Sequence, residues 1–370
     1  MTPWGSYLVV LVVAAATTAL TMPLVIKLSV RLGAVVEPGD RRVHEKPTPT
    51  LGGLGMLLGM GTGLGVATLV GGFDAVMENR STVLGVVGAA VIMFTTGFID
   101  DLRDVSAPAK VAGMVLAGSV LSLAGLTIVN VPVPVLGFTV LAPDLAVVVS
   151  VAWVAVMANA VNLIDGLDGL AAGIIAIAAG AFLFYGIKLQ RVGALENGNI
   201  GPLLAVIVVG VCLGFLPWNF HPAKVFMGDA GALFLGLMMA SSTIAVGGQS
   251  DDSYTGQSWF FFAPLVLPLV ILGVPLIDMV FAVLRRATRR QGLATADKDH
   301  LHHRLMRLGH GHRRSVVILW GFTAVLSAFA LVPVLTQRGA GMVPVVLAGV
   351  SLLLFTMLVP KMKARRNGDL

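Results

Sequence analysis

Charge is scarce in this sequence. Lys, Arg, Asp and Glu make up 12% of its 370 residues, about half the share found in soluble domains. With apolar runs from end to end, that shortage excludes an ordinary soluble enzyme and predicts a polytopic α-helical membrane protein. Strict period-2 alternation is also missing, which argues against an outer-membrane barrel. Cysteine occurs once, as Cys212, so no intrachain disulfide can form. Inside an apolar run it reads as a small packing residue. The stretch "MTPWGSYLVVLVVAAATTALTMPLVIKL" lacks a positive n-region and stays apolar beyond the length of a signal-peptide core. An uncleaved first span is expected there.

Apolar length is abundant. A hydrocarbon core of ~30 Å needs about 20 apolar residues per helix. On that scale eleven spans are expected, near 5–27, 51–72, 82–99, 111–129, 145–164, 169–187, 201–217, 230–248, 259–284, 315–337 and 341–359. No linker or tail is long enough for a second domain, so 1–370 reads as one all-α membrane domain. Of the 25 basic residues, 21 fall in segments 27–50, 100–110, 218–229, 285–314 and 361–370. Only Arg80, Lys188, Arg191 and Arg338 fall on the other side. The positive-inside rule makes the first side cytosolic, with the N-terminus outside and the C-terminus inside. The net charge of +6 is then topological bias, and no nucleic-acid motif accompanies it.

The cytosolic segments hold nearly every unusual polar residue. In "GFIDDLRD", Asp100 and Asp101 are adjacent at a span end. Neighbouring carboxylates repel unless they share a cation. In "NAVNLIDGLDGL", Asn162, Asp165 and Asp168 recur every third residue, within one face if the helix persists. Gly166 and Gly169 predict that the backbone opens there. A plain turn would not need so many acids and amides. In "NFHPAKVFMGDAG", Asp229 opens the next span between small residues that let a metal or phosphate approach, although capping is a competing job. Asn219 and Phe226 precede it.

The segment "LRRATRRQGLATADKDHLHHRLMRLGHGHRR" carries five of the seven histidines. Its arginines repel a divalent metal, whereas imidazole with guanidinium suits phosphate oxygens. "HEKPTPTLGG" adds Lys46 in a stiff loop. Asp278, embedded in its span, is expected to pair with a loop cation. Acids in three loops and cations in two, gathered on one membrane face, suit divalent-metal chemistry on a diphosphate with a lipid co-substrate.

These motifs, in this order and over most of the chain, resemble the polyprenyl-phosphate N-acetylhexosamine-1-phosphate transferases, the family that includes MraY and WecA. The resemblance implies transfer of a sugar-1-phosphate from a UDP-N-acetylhexosamine to a polyprenyl phosphate, with UMP released, at the cytosolic face of a bacterial plasma membrane. It implies Mg²⁺, with Mn²⁺ as a substitute, held by Asp229 together with Asp100. Asp100 or Asp101 would meet the lipid phosphate as base or covalent nucleophile, with Asp168 and His302 also in the catalytic set. Asn162, Asp165, Asn219 and Phe226 would line the nucleotide pocket, beside Asp168. His300, His303 and Arg304 would bind phosphate and sugar, and Lys46 would offset developing charge. The active site would come from segments 28–50, 100–110, 159–170, 218–231 and 285–314, in a monomer or a homodimer.

"HLHHRL" resembles the WecA type and favours UDP-N-acetylglucosamine, at the first membrane step of a cell-wall or surface polysaccharide. An MraY-type phospho-N-acetylmuramoyl-pentapeptide transferase, or a transferase for another UDP-N-acetylhexosamine, is the alternative. A transporter is the rival from another class, but its ionisable groups belong near the midplane, often with an inverted repeat, and no repeat is evident here. An intramembrane aspartyl protease would have no use for the histidine–arginine segment.

Overall fold

Long runs of Ala, Leu, Val, Ile and Gly leave the backbone no partner in lipid except itself, and the helix satisfies it. The computed structural model describes residues 3–37, 47–133, 137–248, 273–274, 276–277, 280–281, 305–306, 308–336 and 342–367. Its helices are α1 (Pro3–Leu32), α2 (Gly52–Ala67), the short α3 (Asp74–Glu78), α4 (Arg80–Leu102), α5 (Ala107–Leu123) and α6 (Pro143–Ile164). They continue with α7 (Leu170–Arg191), α8 (Gly201–Asn219), α9 (Gly228–Thr243, prolonged by a π turn over Ile244–Gly248), α10 (His312–Thr336) and α11 (Met342–Asn367).

Ten of the eleven expected spans coincide with one of these helices. The other, 259–284, lies almost wholly outside the described residues, as does Asp278. Among the described residues, seven helices are long and apolar enough to cross a membrane, while α2, α5 and Met342–Leu358 within α11 are shorter. The expected spans 51–72 and 111–129 overran. Helix α2 ends at Ala67, before a turn through Gly72 with φ +109°. Helix α5 ends at Leu123, before Gly125 with φ +92°. Gly125, directly after the C-cap Ala124, stops α5 because a helix cannot continue through left-handed geometry, whereas Gly72 lies further on, in the loop after α2. The all-α expectation also missed two small antiparallel pairs. They are β1 (Val35–Val36) with β2 (Thr48–Pro49), and β3 (Asn130–Val133) with β4 (Gly137–Val140).

The core is built around α9, every residue of which from Ala230 to Thr243 is buried. Helices α2, α4, α6 and α8 pack against it. Helix α1 lies on α2 and α8, α5 bridges α4 and α6, α7 sits on α8, and α10 and α11 follow outward from α7. The outward surfaces of α1 and α11 expose Leu20, Leu24, Leu347 and Leu354. In water such faces would drive association; against hydrocarbon they are at rest.

Candidate active site

The site starts from close backbone approach. A Cβ added at Gly97 of α4 would collide with the backbone of Asp229 and Ala230, so only glycine lets α4 reach the first turn of α9. That approach delivers Asp101. Its Oδ1 accepts the Asp229 N–H at 2.8 Å and its Oδ2 accepts the Ala230 N–H at 3.1 Å. Helix starts leave N–H groups unpaired and carry partial positive charge, and a carboxylate from another helix answers both needs. Asp229 therefore does not cap its own helix; Asp101 does it from α4. Gly228, with φ +69°, provides the entry, and a side chain there would strike Thr50 and Asp101.

The freed Asp229 carboxylate turns to α5. Lys110 Nζ donates to Asp229 Oδ2 at 2.6 Å and pairs with Asp100 Oδ2 at 2.5 Å. Asp100 Oδ1 also accepts the Val105 N–H at 2.7 Å. Asp229 and Asp100, the pair expected to hold the metal, thus share an ammonium. Lys110 is a basic neighbour of the aspartate pair in the sequence; its bridge to Asp229 was not anticipated. A cation one turn into an apolar helix was the available signal, since such a residue needs a partner from elsewhere.

A second set of contacts forms where α6 gives way to α7. Helix α6 ends at Ile164 with Asp165 as C-cap, and Gly169, φ +78°, starts α7. The opening expected from Gly166 and Gly169 is present, so Asn162, Asp165 and Asp168 do not share a continuous helix face. Burial, followed by the charges of Asp229, Asp101 and Asp168, pushes the Asp165 carboxyl up to about 8. Those neighbours tie the α6–α7 turn to the α4–α9 junction, so Asp100, Asp101, Asp165, Asp168 and Asp229 meet at one end of the bundle.

Asn219 is 1% exposed. Its Oδ1 accepts the Gly169 N–H at 2.9 Å and its Nδ2 donates to Val225 O at 3.0 Å. Expected on the nucleotide, it braces two loops, because burial leaves an amide little but backbone to bond. Phe226 is half-buried, and its backbone pairs with Pro49 and Gly52, joining the loop to β2 and α2. Asn162 is half-buried at the last turn of α6.

Asp168 is buried, and its Oδ2 accepts from His221 Nδ1 at 2.7 Å and from the Ala223 N–H at 3.1 Å. His312 Nε2 lies 3.9 Å from the same oxygen, and the two imidazole rings stack at 4.2 Å. His221 and His312 were also missed as individual residues. The first was one letter in "NFHPAK", and the second was merged into a basic segment. Lys46, His300, His302, His303 and Arg304 lie outside the described residues.

Which end could hold a metal follows from the donors. Hard divalent cations take carboxylate oxygens. Asp229 and Asp165 offer such oxygens amid surplus negative charge. Asp168, His221 and His312 place donor atoms within 4.8 Å of one another, a set with imidazoles better suited to borderline metals.

Residues 83–247 match the model of glycosyl transferase family 4. A decaprenyl-phosphate N-acetylglucosaminephosphotransferase of Mycobacterium tuberculosis (strain H37Rv) is 36% identical over 305 residues, covering 81% of this chain and 76% of that protein. The chain belongs to glycosyl transferase family 4. Other relatives of this family-4 protein differ in named activity. One from Bacillus subtilis (strain 168), named a probable undecaprenyl-phosphate N-acetylglucosaminyl 1-phosphate transferase, is 36% identical over 87% of this chain and 84% of its own. A phospho-N-acetylmuramoyl-pentapeptide-transferase of Mycobacterium leprae (strain TN) is 30% identical over 88% of this chain and 96% of its own. The matched family region contains the Asp100–Asp101 pair and the α6–α7 turn, and it includes Lys110, Asn219 and Asp229.

Proposed function

We propose that this protein transfers N-acetylglucosamine-1-phosphate from UDP-N-acetylglucosamine to a polyprenyl phosphate, giving polyprenyl-diphosphate-N-acetylglucosamine and UMP. The observation that carries this is the gathering of Asp100 and Asp229 on Lys110 at the α9 start, with Asp165 close enough to feel the charges of Asp229 and Asp101, in a chain so similar to the mycobacterial enzyme. The apolar outer faces of the bundle support a lipid substrate. The basic bias of the same loops supports a cytosolic site in a bacterial plasma membrane.

In the reaction, an oxygen of the lipid phosphate attacks the sugar-bearing phosphorus and the bond to the UMP oxygen breaks. Such displacement needs positioning and charge compensation more than covalent help. Asp229 and Asp165 would hold Mg²⁺ or Mn²⁺, which when bound screens the diphosphate. Lys110 keeps Asp100 and Asp229 close without mutual repulsion and is a second cation within reach of phosphate. Asp101 is held at both oxygens by backbone N–H groups of α9, so its work is to fix that helix. Asp100, held by one backbone N–H and a lysine long enough to swing, is the carboxylate placed to meet the lipid phosphate.

A side-by-side assay of UMP release, with a short-chain polyprenyl phosphate and Mg²⁺ in detergent, tests the proposal. UDP-N-acetylglucosamine is expected to react, and UDP-N-acetylmuramoyl-pentapeptide is not. Preference for the pentapeptide donor would transfer the chain to the muramoyl branch, and no UMP from any donor would end the proposal.

A further inference from the structure

The proposed transfer leaves His221 and the start of α10 unused, yet both border a cavity of about 400 Å³ lined by His221, Gly309, Gly311, His312, Arg313 and Arg314, with His310 alongside. Gly309 and Gly311 have φ +92° and +56°, with open space beside each. The backbone there curls into the N-terminus of α10, a helix of 25 residues. Curled glycine backbone before a helix start presents N–H groups and positive potential to one point.

A helix start alone does not make a site. His312 adds the independent observation. Its side chain is 10% exposed, it lines this cavity, and both Nδ1 and Nε2 are buried without a hydrogen-bond partner. Buried polar atoms are nearly always paired; here Nδ1 has no partner and Nε2 has only the Asp168 carboxylate at 3.9 Å, beyond hydrogen-bond range, so the ring points to a missing ligand. His310 Nε2 donates to the Thr356 carbonyl of α11 at 2.8 Å, which anchors the loop. Arg313 donates from Nε and Nη2 to the His221 carbonyl at 3.2 and 2.9 Å, which ties α10 to the α8–α9 loop.

Charge decides between cation and anion. The three-donor set of Asp168, His221 and His312 would admit a borderline metal. However, Asp168 Oδ2 already accepts two hydrogen bonds, and the helix start and two arginines repel a cation. We infer that His221, His312, Arg313 and Arg314, with the Gly309–Gly311 backbone, form a phosphate-binding subsite next to the acid cluster. Its occupant is a phosphate monoester, either the released UMP or the incoming polyprenyl phosphate. Naming those two sources rests on the proposed transfer, whereas phosphate binding itself does not.

The test uses the full chain in detergent. Thermal unfolding is followed with inorganic phosphate against chloride at matched ionic strength. A ligand bound only by the folded state raises the midpoint, so phosphate is expected to raise it. His312→Gln should weaken apparent phosphate affinity by roughly tenfold or more. Arg314→Gln, at an exposed position, should weaken it less and serves if His312→Gln does not fold. Titration with UMP and with farnesyl phosphate then shows which source loses affinity in the variants, and loss for either supports the subsite. Phosphate stabilisation unchanged in both variants would overturn it. So would stabilisation by Zn²⁺ or Co²⁺, lost in His312→Gln, with none by phosphate. UMP release from the same preparations is read separately, so a failed subsite and a failed transfer proposal look different.

Discussion

Two clusters of ionisable side chains meet at one end of this bundle with opposite character. At the α4–α5–α9 junction, Asp100 and Asp229 share the Lys110 ammonium, Asp101 holds the α9 start, and Asp165 on the α6–α7 turn feels the charges of Asp229 and Asp101. At the start of α10, one carboxylate among the described residues, Asp168, stands behind two histidines and two arginines. The first is a surplus of negative charge beside helix N–H groups, and the second is a surplus of positive donors beside a cavity. A reaction between two phosphorylated molecules needs both: a place where a cation can be held and a place where an anion can rest. Asp165 of the first cluster and Asp168 of the second sit on one turn, between α6 and α7.

The largest effect in this comparison should come from Asp229. Asp229→Asn removes a hard ligand and unbalances Lys110, so transfer should fall by roughly a thousandfold or more, each tenfold being about 1.4 kcal/mol of transition-state stabilisation. Membrane insertion should be normal, because Asp229 does not cap its helix. Retained transfer with unchanged Mg²⁺ dependence, measured by UMP release, would remove the cation from the acid cluster.

Next comes the division of labour within the acid pair. Asp101→Ala should destabilise the protein by about 1–2 kcal/mol, the usual cost of a lost cap, while Asp101→Asn, which keeps one acceptor, should cost less. Asp100→Asn should instead cost about 10²–10⁴ in rate, the range of a lost general base, with little change in unfolding. The reverse pattern would exchange the two roles.

The same contrast separates what the sequence makes legible from what it hides. Helices were legible because apolar length in lipid leaves no other solution. Ten of the expected stretches are helices, seven of them long and apolar enough to cross a membrane, and the break at Gly166–Gly169 followed from glycine alone. The convergence of acids from separate helices followed from their residue types and from the side of the membrane given by the basic loops. Capping partnerships were not legible. A spacing rule suggests that Asp229 caps α9, but the cap comes from Asp101, well over a hundred positions upstream, and only the absence of a side chain at Gly97 permits it. Nor was Asn219 legible as a brace, since an amide that reads a base edge and one that pins a loop look alike in sequence. Lys110 and His221 were single letters whose meaning is a partner on another helix.

The smallest effect, and the most direct probe of surplus negative charge, is the pH response of Asp165. Its carboxyl is pushed from 3.8 up to about 8 by burial and by Asp229, Asp101 and Asp168. Between those values the folded state keeps a proton that the unfolded chain has released, so stability falls as pH rises through the window and levels off above it. Without divalent metal, Asp165→Asn should match the parent near pH 4 and exceed it by about 2–4 °C in unfolding midpoint at pH 8, the scale of roughly 1 kcal/mol in a large domain. Added Mg²⁺ should reverse the ranking at pH 8, since a metal stabilises the ionised carboxylate and displaces its proton. A variant that follows the parent at every pH, with and without Mg²⁺, would mean that Asp165 carries none of the cluster's charge. The cation would then rest on Asp229 and Lys110's other partner, Asp100.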